Sequence, residues 1–262
     1  MGFEAGEGKD QLYTHLRRFA GEGDGRDRLV FAVGGDGTVR ACAHALAGTG
    51  TPLAVVARGT GNLFARGMGL PIDLGRALAV GFDGRDCRVD LGTADGQTFT
   101  AMAGIGIDAA VVGSTPRLFK EHLGWLGYAL AAVPQLGRPP HEMRVHIAGR
   151  EPVTTRAQCV VVGNVGVMPG GFGIFPGARM DDGLLDVGVL FPKSVLGWAL
   201  MARTVLSKGH FADRYFAHFQ GSEVEVTASE QLPRQLDGDA IAPGRSFVFS
   251  VLPGALRARV PR

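Results

Sequence analysis

Residues 31–40, Phe-Ala-Val-Gly-Gly-Asp-Gly-Thr-Val-Arg, constrain this chain more than any other stretch. An apolar segment, Leu29 to Val33, runs straight into Gly34, Gly35 and Gly37, which surround one carboxylate, Asp36. Glycine accepts tight bends and close approaches that side chains forbid, so a chain that turns here bares its backbone N–H groups. Such groups cradle a phosphate, and a helix opened at Thr38 adds its partial positive charge at the same point. Asp36 offers an oxygen ligand to a divalent cation. The segment reads as a nucleotide phosphate site, although a lone pair of glycines also suits an ordinary strand-to-helix turn.

The 262 residues suffice for one large domain or two medium ones. Lys and Arg number 27 against 25 Asp and Glu, so no nucleic-acid partner is expected. Cys42, Cys87 and Cys159 lie far apart, lack metal-ligand spacing and suit a reducing cytoplasm as small core residues. No segment resembles a signal peptide, and no apolar stretch reaches the roughly 18 residues that span a bilayer. A cytoplasmic protein is expected.

Periodicity divides the chain. An amphipathic segment from Asp10 to Ala20 precedes the strand Leu29 to Val33, a helix from Thr38 to about Ala47, and the apolar run Pro52 to Ala57. A short helix near Asn62 to Arg66 follows, and Asp73 caps another to Val80. This α/β order predicts a parallel sheet. From about Asp86 strands with tight turns take over: Cys87 to Leu91, Phe99 to Ala103, Met143 to Ile147, Ala157 to Val162, Leu185 to Leu190, Glu223 to Thr227 and Phe247 to Leu252. Helices are expected after Thr115-Pro116 and after Ser194.

A second glycine loop, Gly59-Thr60-Gly61-Asn62, follows the strand Pro52 to Ala57. Loops at the carboxyl ends of neighbouring parallel strands share a crevice, so both loops are expected to face one ligand, with Thr60 and Asn62 adding hydroxyl and amide contacts. Alone, the loop also reads as a helix start capped by Asn62.

Gly34-Gly35-Asp36-Gly37-Thr38, Gly59-Thr60-Gly61-Asn62 with Phe64-Ala65-Arg66, and Gly104-Ile105-Gly106-Ile107-Asp108 together resemble the diacylglycerol kinase catalytic-domain family, which includes sphingosine kinases and bacterial lipid kinases. Gly170-Gly171-Phe172, Asp181-Asp182-Gly183-Leu184-Leu185-Asp186 and Leu236-Asp237-Gly238-Asp239 are similar to its later motifs. Nicotinamide nucleotide kinases share the first element alone. The resemblance implies an α/β plus β architecture: a Rossmann-like nucleotide-binding domain of the NAD kinase and diacylglycerol kinase type over residues 1–85, and a β-sandwich over 86–262 whose C-terminal run, Leu256 to Val260, returns to the first domain. The active site is then expected in the cleft between them.

The implied activity is ATP-dependent phosphorylation of a lipid hydroxyl such as that of diacylglycerol, with Mg²⁺. Asp237 matches the family's general base; Asp36, Asp108 and Asp239 are implied to hold Mg²⁺ around the transferring phosphate. Asp237-Gly238 alone would read as a hairpin turn, and Asp108 as a helix cap. Asp181, Asp182 and the Leu184 carbonyl match a structural metal site of bacterial members, with a type I′ turn as a compatible reading and Arg179 standing at one partner position. The family pattern is broken in three places. The chain opens Met1-Gly2-Phe3-Glu4-Ala5-Gly6 without the usual Asn-Pro nucleotide loop, so a late start or an incomplete nucleotide site is expected; Leu63 stands where many members have Asp; and Asp239 replaces Glu.

Thr115 to Leu136, with Phe119, Trp125 and Tyr128 among Arg117 and Lys120, reads as core packing or as a cover for a lipid cleft that touches the membrane transiently. Lys193, Trp198, Arg203, Lys208 and Arg214 form a second basic-aromatic stretch. His122 and His210 show no ligand spacing. A homodimer stays open. The alternatives to a lipid kinase are a non-catalytic lipid- or nucleotide-binding relative and, against the Asp181 to Val187 motif, a nicotinamide nucleotide kinase.

Overall fold

Parallel pairing of two apolar strands builds the first part of the molecule. In the computed structural model, which describes residues 9–21, 28–106, 139–168, 172–192, 194–206 and 215–262, helix α1 (Lys9–Gly21) leads to β1 (Val30–Gly34), α2 (Asp36–Leu46) and β2 (Pro52–Ala57). β1 and β2 run in register from Val30 opposite Leu53 to Gly34 opposite Ala57. Both glycine loops therefore leave the sheet side by side. The helix opens at Asp36 rather than at Thr38, because Gly35 makes the bend in an extended conformation (φ −90°, ψ −170°) and its carbonyl already accepts the Thr38 and Val39 N–H groups. Helix α3 (Leu63–Gly67) and helix α4 (Leu74–Asp83) follow, the latter capped by Asp73, which accepts the Arg76 N–H at 2.9 Å.

The second part comprises β3 (Arg85–Ala94), β4 (Gln97–Phe99), β5 (Met102–Gly106), β6 (His141–Ile147), β7 (Val153–Ala157), β8 (Cys159–Gly163), β9 (Val167–Met168), β10 (Phe172–Gly173), β11 (Leu185–Leu190), α5 (Val195–Leu206), β12 (Phe216–Gly221), β13 (Glu223–Leu236) and β14 (Asp239–Val260). The strand expected over Phe99 to Ala103 is divided: at Thr100 and Ala101 the backbone leaves the ladder and turns its N–H groups to a carboxylate. The run Ala157 to Val162 is likewise divided, at Gln158.

Among the described residues, twelve strands join one sheet whose main path is β1-β2-β14-β13-β5-β8-β11-β12, with β3, β4, β6 and β7 pairing off it. β14 ties the parts together. It pairs with β13 and β3, bulges between Leu252 and Leu256, and then runs parallel to β2, with Arg257 opposite Pro52 and Ala258 opposite Leu53. Two cores result, and β8 shows how: Val160 and Val162 face one between the sandwich layers, whereas Cys159 and Val161 face the other, shared with the first part. This is the period-two alternation of a strand buried on both faces. Cys42 and Cys159 are core residues as expected; Cys87 is half-buried. Of the second basic-aromatic stretch, Trp198 packs partly against the core and Arg203 is exposed. Met1 to Gly6, Asp108, Thr115 to Leu136, Gly170, Gly171, Lys193, Lys208, His210 and Arg214 lie outside the described residues.

Candidate active site

The two glycine loops meet backbone to backbone. A Cβ placed on Gly59 would lie 2.5 Å from the Gly35 Cα, and one on Gly35 would lie 3.1 Å from the Gly59 Cα. The need for glycine at position 35 is this close approach, not a positive φ. The Arg58 N–H donates to the Gly34 carbonyl at 2.8 Å, and a Cβ on Gly34 would lie 2.5 Å from the Thr38 hydroxyl oxygen. The second loop wraps Asp36: its Oδ1 accepts the Leu63 N–H at 2.6 Å, and a Cβ on Gly61 would lie 2.7 Å from its Oδ2. Asn62 is buried in the left-handed conformation, and its amide serves its own loop. It accepts the Gly59 N–H at 2.9 Å and donates to the Gly59 carbonyl at 2.7 Å, bonds that close the loop rather than cap α3. Thr60 stands exposed on the same loop.

The hairpin between β13 and β14 comes to this crevice. Asp237 (φ 47°) and Gly238 (φ 80°) both have positive φ and join Leu236 to its cross-strand partner Asp239, which is the pattern of a two-residue type I′ turn. The residue that the resemblance implies as the base is thus also a turn residue. The Asp237 carboxylate is buried and accepts four bonds: Oδ2 from the Thr100 N–H (2.8 Å) and hydroxyl (3.1 Å), Oδ1 from the Ala101 (2.8 Å) and Met102 (3.0 Å) N–H groups. Burial pushes its pKa up, against those N–H groups and the Arg40 cation, which pull it down. Asp36 is pushed up to about 6 by burial and next by the charge of Asp237, with the Leu63, Phe64 and Asn62 N–H groups opposing.

Arg40, on α2, donates to the Leu236 carbonyl and to Asp239 Oδ2, each at 2.5 Å. Asp239 is half-exposed, and its Oδ2 lies 3.7 Å from where a Gly37 Cβ would stand. Asp36, Asp237 and Asp239 are therefore gathered with Gly35, Gly37 and Gly59 around the start of α2. Asp36 and Asp239 offer carboxylate oxygens, the donors that Mg²⁺ takes beside water and phosphate, and a half-buried carboxylate raised by a like-charged neighbour is one that a cation would relieve.

Asp181, Asp182 and Leu184 form a separate feature. Asp181 pairs with Arg179 at 3.0 Å, and Asp182 Oδ1 accepts the Leu184 N–H at 3.0 Å. The turn is not type I′, because Gly183 has positive φ and Asp182 does not. Buried Asp90 accepts the Gly183 N–H at 2.7 Å and the Gly254 N–H at 2.6 Å, and so ties this turn to the bulge of β14. Among the described residues, no three His, Cys, Asp or Glu side chains gather to hold a metal by themselves. A cavity of about 560 Å³ lined by Gly48 to Gly50, Asp86 to Arg88 and Arg257 lies at the other end of β2 from Gly59, away from the gathered carboxylates.

Arg40, Thr100 and Asp90 are the contributors that motif reading missed. Arg40 alone left a signal, standing four residues after Asp36 and so on the same helix face. Thr100 and Asp90 act on partners 137 and 164 residues away.

Residues 5–94 match the family model of the diacylglycerol kinase catalytic domain, and residues 101–260 match that of the YegS C-terminal NAD kinase beta sandwich-like domain. A Pseudomonas aeruginosa (strain UCBPP-PA14) protein named "Probable lipid kinase YegS-like" is 36% identical over 241 residues, covering 88% of this chain and 76% of its own. A Pseudomonas syringae pv. tomato protein of the same name is 33% identical over 239 residues, covering 89% and 76%. The solved structure of a diacylglycerol kinase from Bacillus anthracis str. Sterne overlays with a TM-score of 0.71 at 22% identity, over 98% of this chain and 82% of that one, and shows the shared fold. The chain belongs to the diacylglycerol kinase catalytic-domain family and carries the C-terminal β-sandwich of its YegS-like members.

Proposed function

We propose that this chain transfers the γ-phosphate of ATP to a lipid hydroxyl such as that of diacylglycerol. The observation that carries the reading is the meeting of Asp36, from the first glycine loop, with Asp237, from the β13–β14 turn, close enough for one charge to raise the other. Relatives named "Probable lipid kinase YegS-like" support it. In this reading the backbone N–H groups of Gly35 to Gly37, with the exposed Thr60, take the phosphates at the start of α2. Asp36 and Asp239 hold Mg²⁺, which supplies charge neutralisation on the transferring phosphate. Asp108 is assigned to the same cluster by resemblance alone.

Asp237 accepts the proton of the lipid hydroxyl as that oxygen bonds to the γ-phosphorus and ADP departs with the bridging electron pair. The bond from the Thr100 hydroxyl is the longest of the four that Asp237 accepts, and a hydroxyl rotates freely. The lipid hydroxyl replaces it. The substrate's acyl chains imply transient contact with a membrane surface; among the described residues, no helix is long and apolar enough to cross one.

One observation favours a non-catalytic binding relative: both oxygens of Asp237 already accept two bonds each. The test is transfer of labelled phosphate from ATP to diacylglycerol, monoacylglycerol, phosphatidylglycerol and sphingoid bases with and without Mg²⁺. A labelled lipid that depends on Mg²⁺ is expected. No labelled lipid across the panel, beside an active lipid kinase, selects the binding reading.

A further inference from the structure

Arg40 is placed where it touches both flanks of the proposed base without touching the base's own oxygens. Its Nη1 holds the carbonyl of Leu236, the residue before Asp237, and its Nη2 holds the carboxylate of Asp239, two residues after. The guanidinium is mostly buried at 14% exposure, whereas Asp239 is 50% exposed. The anchored end is therefore Arg40. It stands one helical turn beyond Asp36 on the same face of α2, and Asp36 in turn accepts the Leu63 N–H of the second glycine loop. One short length of helix thus fixes the nucleotide loops through Asp36 and the β13–β14 turn through Arg40.

We infer that Arg40 is a positioning residue that brackets Asp237 and couples the nucleotide loops to the turn that carries it. The inference rests on the kinase reading above for its catalytic consequence, and on geometry alone for the clamp. A guanidinium presents separate N–H groups in a fixed plane, so it holds a backbone carbonyl and a carboxylate at once. Lysine, a point charge, holds one or the other well. Misplacing a reacting group by about 1 Å costs on the order of 10²-fold in rate.

The experiment combines steady-state kinetics with amide exchange on wild type, Arg40→Met and Arg40→Lys. Arg40→Met is expected to lower kcat about 10²-fold while KM for ATP and for lipid stays within about threefold, and Arg40→Lys to recover part of that loss. The amides of Asp237 and Gly238, which bond the Met102 carbonyl (2.8 Å) and Gln235 Oε1 (2.9 Å), are expected to exchange faster in Arg40→Met while β1 and β2 keep wild-type protection. Should Arg40→Met fail to fold, Asp239→Ala releases half of the clamp from its exposed end and must speed the same two amides. Unchanged exchange at Asp237 and Gly238 overturns the clamp, and a loss confined to the KM for ATP overturns positioning in favour of direct nucleotide binding. A wild type that transfers no phosphate fails the kinase reading, while the exchange measurement still decides for or against the clamp.

Discussion

Among the described residues, two Asp-Gly hairpins have nearly the same backbone. Asp95 (φ 46°) and Gly96 (φ 78°) join β3 to β4, and Asp237 (φ 47°) and Gly238 (φ 80°) join β13 to β14. Their surroundings differ in every respect that governs chemistry. Asp95 is 38% exposed, pairs with Arg234 at 2.6 Å and accepts the Val248 N–H at 3.0 Å. Asp237 is buried, takes four donors from the break between β4 and β5, and faces the charge of Asp36. A turn motif specifies a backbone; what its carboxylate does is decided by chain segments far away in sequence.

The sharpest break in that comparison is Asp237→Asn. Asparagine suits a type I′ turn as well as aspartate does, so the hairpin persists while the proton acceptor is lost. Lipid phosphorylation is expected to fall by about 10² to 10⁴, measured below the melting temperature of the variant. Activity within a few-fold of wild type would reduce Asp237 to the structural status of Asp95.

Removing the neighbour that distinguishes Asp237 comes next. Asp36 has a folded pKa of about 6 against 3.8 for the free group, so between about pH 4 and 6 the native state keeps a proton that the unfolded chain has released. Stability is expected to decline as pH rises through that window, with the penalty complete above it. The shift is worth on the order of 3 kcal/mol. Asp36→Asn, which still accepts the Leu63 N–H, is expected to be about 2 kcal/mol more stable than wild type at pH 7.5 in EDTA, to lose the pH 4 to 6 slope, and to gain less from Mg-ATP. Denaturant unfolding across pH checks this; a variant less stable at pH 7.5 with the slope intact refutes it.

Thr100→Val separates the fixed donors of Asp237 from the replaceable one. Losing the hydroxyl bond is expected to cost about 1 kcal/mol in thermal or denaturant unfolding while turnover stays within about threefold of wild type. Turnover slowed by about a hundredfold or more, the scale of a lost proton-transfer partner, would instead give Thr100 a part in the chemistry. The smallest effect belongs to the control turn: Asp95→Asn breaks a half-exposed ion pair, worth at most about 1 kcal/mol, and should leave phosphate transfer within about twofold. A larger loss of activity would mean that the two turns communicate through β13, where Arg234 also resides.

Much of this was legible in the sequence where burial is uniform. β2 and β11 begin and end where the apolar runs Pro52 to Ala57 and Leu185 to Leu190 do, because every one of their positions is buried. β12, the last strand on the sheet path, escaped because Phe216 to Gly221 is half-buried and mixes aromatic with polar residues. The break at Thr100 and Ala101 was hidden for a different reason: two apolar-compatible residues leave a good strand pattern to serve a carboxylate more than a hundred positions away. Motif reading named Asp36 and Asp237 and, through the family resemblance, expected both at one active site; the donors that hold Asp237 are visible only in three dimensions. It did not show that the Asn62 amide closes its own loop through Gly59.

The parallel pairing of Arg257 and Ala258 with Pro52 and Leu53 also sets a timetable for synthesis. The strand that completes the flank of β2 leaves the ribosome about two hundred residues after β2 itself, roughly 10 to 40 s later at ordinary elongation rates. Throughout that interval the N-terminal part has an apolar strand with one edge unsealed, the condition in which nascent chains pair wrongly with one another. The first half to be made is among the last to be finished, and its safe passage depends on whatever shields β2 until β14 arrives.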